Sequence, residues 1–383
     1  MINDLVMTNF TRCTNMLITV LVDLDLRLSL PLRRLIATVM ACLLEGTDAH
    51  LSDLAEALPD IESDQGTKEQ RLRRLLSHPE LSPQRFLPAY LRLLSPILQR
   101  LPELVLSMDR THWKKRKRHV NILMVAVHFQ GRAIPLYWTV LDRAGNSGIA
   151  EWKTVLRPVI TAIRATPALA HHPLIVAADR EFASPQLAEW LHQTFAVDSV
   201  LRVKRSEYLC DQTHDITLAD LVAFLPQGET RYDHRVTVTK TSTWLVNVTI
   251  TWAVDAQEPL LVLSTLTGAA LSLATYQRRF GIEPMFKDQK TTGFTIEQTK
   301  VTDPKRIETL LILTTFAHIL CTTEGDRQEQ QGEIKKNGIA VPSFALAGSF
   351  LLASSPLSKP FVKRVPESLH NLSTAYHVLW YNH

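Results

Sequence analysis

Three acidic residues, and a run of cations around the last of them, are where this chain could do chemistry. Tyr276, Arg279, Glu283 and Lys290 are spaced by three, four and seven residues, each close to a whole number of helical turns. At about 100° per residue they fall within a stripe roughly 60° wide, and Lys287 joins them. A carboxylate flanked by cations and a tyrosine is a poor core face. It suits a surface that holds a metal beside a phosphodiester backbone. Gly281 and Pro284 interrupt the stretch, so Pro284 should kink the helix or begin a new one.

Upstream, two apolar runs each end on aspartate: Leu104 to Met108 before Asp109, and Leu174 to Ala178 before Asp179. Carboxylates at strand ends can meet across neighbouring strands, and Glu283 would approach from a helix packed on that sheet. Three converging carboxylates repel and raise one another's pKa, so the arrangement makes sense around divalent cations. Two ions about 4 Å apart can activate the attacking oxygen and stabilise the leaving one in phosphodiester displacement. Oxygen-only donors favour Mg2+, with Mn2+ as a substitute. The blander alternative is that a strand-end aspartate caps the next turn.

Other cations are candidates for DNA contact. Lys114, Lys115, Arg116, Lys117 and Arg118 form five consecutive positive charges between two expected strands. Arg71, Arg73 and Arg74 decorate an amphipathic helix over 68–77, with Arg85 just beyond it. A solvated turn or helix face is the alternative for each cluster, and no helix-turn-helix pattern is visible.

The elements that must position these residues can be read from periodicity. Residues 1–100 read as a helical N-terminal DNA-binding domain. Apolar positions recur at three and four spacings from Leu32 to Val39 and at Leu72, Leu75 and Leu76. Thr67 with Gln70 suggests a capping box, and Pro83, Pro88 and Pro96 punctuate the approach to the next domain. From 101 to 323 the pattern becomes α/β. Strands are expected at 104–108, 119–129 and 132–141, with Gln130-Gly131 as a hairpin turn. A helix at 150–163, a strand at 174–178, a helix at 184–192 and a strand at 199–203 follow. That order matches a ribonuclease H-like fold. Residues 204–258 read as a β-rich insertion, and 324–383 as a polar linker and a C-terminal helical region.

The motifs around the acidic residues resemble those of DDE transposases of the insertion-sequence-four type, with their Tyr-Arg-Glu-Lys signature. Asp109-Arg-Thr111, Asp179-Arg-Glu-Phe182 and Tyr276 to Lys290 carry the resemblance, supported by Gly293-Phe294, Glu297, Thr299, Asp303-Pro304, Arg306 and the apolar run 310–313. It covers roughly residues 100 to 323. It implies that Asp109, Asp179 and Glu283 are both catalytic and metal-binding. It further implies that Tyr276 and Arg279 grip the DNA end, with Lys290 on a phosphate. Lys287, one turn after Glu283, is a further candidate for such a contact. The resemblance implies a cut-and-paste enzyme acting on double-stranded DNA, at terminal inverted repeats and at target, as a homodimer in a prokaryotic cytoplasm beside the nucleoid. One departure stands out. Relatives carry a base-stacking tryptophan just before an aliphatic run, and Leu260 occupies that place. Trp244 and Trp252 lie nearby in sequence, where core packing is the expectation for both.

Composition narrows the rest. Forty-two Lys and Arg against 38 Asp and Glu give a net charge of +4, compatible with nucleic acid without requiring it. The four scattered cysteines, Cys13, Cys42, Cys210 and Cys321, suggest neither zinc nor disulfides, and hence a reducing cytoplasm. The N-terminus has no signal-peptide pattern, and the apolar stretch from Gly338 to Leu357 is broken by Pro342, Gly348 and serines, so no membrane span is expected. Two rival functions remain: a catalytically silent DNA-binding descendant of a transposase, and a ribonuclease H-like nuclease without strand transfer.

Overall fold

A computed structural model describes residues 2–59, 62–115, 118–141, 143–210, 215–240 and 242–330. The chain opens with α1 (Ile2–Asp23), α2 (Leu30–Leu44), α3 (Leu51–Ala57), α4 (Gln65–Leu76) and α5 (Pro83–Leu98). The apolar spacing becomes buried stripes: Leu32, Ile36, Val39 and Met40 in α2, and Leu72, Leu75 and Leu76 in α4. Two expectations are corrected here. Asp64, not Thr67, caps α4: its carboxylate accepts from the Thr67 N–H at 2.9 Å and from the Thr67 hydroxyl at 2.8 Å. An ionised side chain is the stronger acceptor for the orphan N–H groups of a first turn. The three prolines also do not break the chain into pieces. Pro83 sits at the start of α5, where its missing N–H would have no partner anyway, while Pro88 and Pro96 lie inside the helix. Burial of Phe86, Leu87, Tyr90, Leu91 and Leu94 holds that helix together despite the bonds they remove.

The α/β region forms a mixed sheet of ten strands, in the order β3-β2-β1-β4-β5-β10-β9-β8-β6-β7. Its first half comprises β1 (Leu104–Lys115), β2 (Arg118–Phe129), β3 (Arg132–Leu141), α6 (Ile149–Ala165), β4 (Leu174–Ala178), α7 (Pro185–Phe195) and β5 (Asp198–Arg202). β1 to β3 form an antiparallel meander, and β4 and β5 add in parallel beside β1. Gln130 and Gly131 both have positive φ, 48° and 79°, as a two-residue hairpin turn requires. This mixed sheet with its helices fits the ribonuclease H-like expectation. The β-rich stretch continues the sheet instead of leaving it. After β6 (Tyr208–Cys210), β7 (Asp215–Thr217), α8 (Leu218–Ala223), β8 (Thr230–Val238) and β9 (Leu245–Thr251), strand β10 (Leu260–Ser264) pairs antiparallel with β5.

Helices α9 (Ala269–Arg278), α10 (Ile282–Lys287) and α11 (Pro304–Gln330) complete the described residues. The stretch expected to begin a linker at Glu324 stays helical to Gln330. Arg327 pairs with Glu324 at 2.8 Å, and Arg100 reaches from the end of α5 to Asp326 at 2.6 Å. The rest of that linker, the apolar run from Gly338 and the C-terminal helical region lie outside the described residues. Among the described residues, one helix segment, Pro304–Gln328, is long and apolar enough to cross a membrane, and most of it is buried in the fold. The helical N-terminal segment shares one hydrophobic cluster with the sheet. Tyr90 of α5 stitches the two together by donating its hydroxyl to the Ile312 carbonyl at 3.0 Å.

Strand alternation assigns the two sheet faces. Leu104, Leu106, Met108, Leu174, Val176 and Ala178 join the large core. Val105, Ile175, Ala177, Val200 and Val262 point the other way and form a much smaller cluster with Tyr276 of α9. By the same alternation, Asp109 and Asp179 belong to this smaller face.

Candidate active site

Asp109 and Asp179 occupy equivalent steps of neighbouring parallel strands. Met108 pairs with Ala178 in the last rung between β1 and β4, and each aspartate is the next residue. The expectation that Asp109 closes its strand is corrected. β1 continues to Lys115, and Asp109 lies mid-strand opposite Met124, because β2 pairs with β1 along this whole length. Asp179 does end its strand, leading into a short 3-10 turn over Arg180–Phe182.

The Tyr276-to-Lys290 stretch is one helical path made of changing turns. α9 tightens into a 3-10 turn at Arg279–Gly281, passes into α10, and widens into a π turn at Asp288–Thr292. Pro284 falls in the first turn of α10, where a proline is tolerated. The path crosses the smaller face from the β5 and β10 side, over β1, towards β3. Gly281 permits the crossing: a Cβ there would lie 2.8 Å from the backbone carbonyl carbon of Arg132. Arg132 also pairs with the buried Asp288 at 3.0 Å, anchoring the far end of the path to β3.

Arg279 is the hub. Its side chain is only 4 % exposed, and it donates Nη1 to Asp109 Oδ2 at 3.0 Å and Nη2 to Glu283 Oε1 at 2.8 Å. Its Nε is buried without a hydrogen-bond partner. Tyr276 is fully buried and donates its hydroxyl to Asp179 Oδ1 at 3.3 Å. Burial pushes the Asp109 carboxyl up to about 6. The Arg110 N–H and Arg279 oppose the rise, and the like charges of Asp179 and Glu283 add to it. Burial likewise lifts the Tyr276 hydroxyl to about 12, so it stays a protonated donor at neutral pH. Glu283 is the outlying member, with its side chain 58 % exposed.

The remaining cations divide. Lys287 is exposed. Lys290 donates to the His112 carbonyl at 3.3 Å, pairs with Glu297 at 3.6 Å and lies over the Trp113 ring. That ties the end of the signature stretch to the strand leading to the basic hairpin. In that hairpin Lys114 and Lys115 end β1 and Arg118 begins β2, while Arg116 and Lys117 lie outside the described residues. Arg71 and Arg74 are exposed on α4, far in sequence from the carboxylates. Arg85 donates to the Leu26 carbonyl at 2.7 and 3.0 Å and pairs with Glu80 at 3.2 Å, a structural brace. Trp244 and Trp252 pack against the large core, as expected of core residues.

The model of the Transposase DDE domain family matches residues 100–320, more than half of the chain and all of the structure just described around the carboxylates. The chain belongs to the DDE transposase family. No curated protein matches it.

Several residues around this transposase's acidic face were not singled out by sequence reasoning. Arg202, the last residue of β5, lies 3.6 Å from Asp179 and pairs with Glu258 at 2.7 Å. In the sequence it lay inside the expected 199–203 strand, one residue short of its end, so the strand-end rule passed over it. Arg110 and Glu181 sit inside the two quoted aspartate motifs yet carried no assigned role. They form a bidentate ion pair beside the aspartates, with a closest approach of 2.9 Å.

The donor set suits a hard divalent cation in kind: carboxylate oxygens on one face, with like-charge repulsion contributing to the raised Asp109 pKa. Among the described residues, no three acidic, histidine or cysteine groups already form a metal cage. Arg279 stands between Asp109 and Glu283 and supplies the balancing charge there.

Proposed function

We propose that this chain is a cut-and-paste transposase of the insertion-sequence-four type, cutting at the terminal inverted repeats of its own element and joining the freed end to target DNA. Hydrolysis of the end phosphodiester leaves a 3′ hydroxyl. That hydroxyl attacks a target phosphodiester, one P–O bond forming as another breaks. Asp109, Asp179 and Glu283 are the residues that would hold Mg2+, or Mn2+ in its place. The bound ions would neutralise phosphate charge and lower the pKa of the attacking oxygen. The chain's own groups do the rest. Arg279 and Tyr276 orient the carboxylates and, with Lys287, Lys290, Lys114, Lys115 and Arg116, are the proposed contacts to the DNA end, while Arg71 and Arg74 are the proposed contacts to flanking duplex. A homodimer pairing two ends completes the reading.

The observation that carries it is the convergence of separate motifs on one sheet face: two aspartates at equivalent strand positions, and a helical path whose Arg279 joins Asp109 to Glu283. The test uses duplexes copied from the DNA flanking the gene. Asp109→Ala, Asp179→Ala and Glu283→Ala should each abolish Mg2+-dependent cleavage while mobility-shift binding persists. Glu297→Ala, which removes only a partner of Lys290, should cleave. A dead Glu297→Ala beside an active Glu283→Ala would refute this assignment of the third carboxylate.

A further inference from the structure

We propose that Arg110 and Glu181 are positioning residues that set how far Asp179 stands from Asp109, an inference resting on the carboxylate site proposed above. The ladder between β1 and β4 ends at Met108 and Ala178. One residue later Asp109 remains in β1, while Asp179 turns out of the sheet into Arg180–Phe182. The β1–β4 ladder does not reach the two aspartates, although their relative placement decides whether both can reach one cation.

Side chains take over from the backbone at that point. Arg110 leaves β1 on the side opposite to Asp109. Its Nε donates to both Glu181 oxygens at 3.0 and 3.1 Å, and its Nη2 donates to Oε2 at 2.9 Å. The rest of the guanidinium reaches Asn121 of β2 at 3.0 Å and Asn146 at 3.2 Å. Glu181 is held from its other side by Ser147, whose N–H and hydroxyl donate to Oε1 at 2.9 and 2.8 Å. Trp152 of α6 donates its indole N–H to that same serine and packs edge-on against buried Phe182, the residue after Glu181. The turn after Asp179 is thereby clamped to β1, to β2 and to the start of α6.

A fourth carboxylate two residues from Asp179 has an obvious rival role as a metal ligand. Its surroundings favour the clamp. Both oxygens already accept charged or strong hydrogen bonds in bidentate geometry.

The test is calorimetric titration of the full chain with Mn2+ alone, with folding followed by thermal melting. Asp109→Ala should lose binding. Arg110→Ala and Glu181→Ala should each weaken it about tenfold, the low end for groups that orient ligands. The double variant should lose no more than the worse single, because each residue acts through the other. If the alanine variants fail to fold, Arg110→Lys and Glu181→Gln are titrated in their place with the same expectations. Wild-type affinity in both singles, beside a dead Asp109→Ala, overturns the clamp and leaves the site standing. Loss confined to Glu181 variants makes Glu181 a ligand and also overturns it, as do losses that sum in the double. Equal Mn2+ affinity in wild type and Asp109→Ala overturns the site reading underneath.

Discussion

On one face of the sheet Trp152 and Phe182 pack ring against ring, with centroids 5.5 Å apart, inside the large core that also holds Leu104, Leu106 and Met108. On the other face, over β1, β4 and β5, a few small aliphatic side chains give way at once to Asp109, Asp179 and a buried arginine. The same strands make both faces, since successive residues point to opposite sides. The difference teaches where stability and chemistry have been separated. The thick face supplies enough burial for the thin face to carry repelling charges.

The sharpest way to break this comparison is to weaken the thick face. Phe182→Ala removes a fully buried ring and should lower stability by about 3–5 kcal/mol in denaturant titration. Tyr276→Phe, on the thin face, removes only the 3.3 Å hydrogen bond to Asp179 and should cost about 1 kcal/mol or less. Equal losses would mean the thin face bears more of the fold than its small cluster suggests.

Next in size is an expected gain. Asp109 titrates at about 6 in the fold against an ordinary 3.8, so folding favours its protonated form. That favourable contribution is complete below about pH 4 and is lost as pH rises through about 6, which by linkage amounts to about 3 kcal/mol. Asp109→Asn mimics the neutral form. It should be more stable than wild type at pH 7 by up to about that amount, and equal to it near pH 4. A variant less stable at pH 7 would show that the Arg279 pairing outweighs burial. Divalent-ion binding should correspondingly weaken as pH falls through 6. Smaller again is Gly281→Ala: the added methyl meets the Arg132 backbone, which cannot swing aside, and a loss of about 1–3 kcal/mol is expected.

Much of this arrangement was legible in the sequence. Continuous apolar runs leading to Asp109 and Asp179 marked the two strands, and Gln130-Gly131 marked the hairpin turn. What was hidden is tertiary. That β1 runs past Asp109 depends on pairing with β2, which no local pattern around Met108 reports. The cap of α4 was misplaced because a threonine and an aspartate three residues apart each fit the cap, and only the hydrogen bonds choose Asp64. The prolines of α5 survive because packing overrides propensity. At the site, helical spacing put Arg279 beside Glu283. Its second bond, to Asp109, spans 170 residues of chain and could not be seen in advance.

The smallest expected effects concern the rim, where cations of the thin face and of α4 meet solvent. Each phosphate contact contributes about 0.9 to the slope of log affinity against log salt. Lys287 and Arg74 are exposed, so Lys287→Ala and Arg74→Ala should each lower that slope by about one on a random-sequence duplex, with stability unchanged. Arg85 looks equivalent in sequence but braces the Leu26 carbonyl and Glu80. Arg85→Ala should therefore leave the salt slope alone and lower the unfolding midpoint. Lys290 is intermediate, because the His112 carbonyl and Glu297 compete with phosphate for its ammonium. Its alanine variant should show a reduced slope change with some loss of stability. The comparison would fail at the rim if Arg85→Ala flattened the salt dependence while Lys287→Ala and Arg74→Ala did not. Partnered side chains would then be the ones that move to the DNA, and exposure in the free protein would be the wrong guide to its DNA-binding surface.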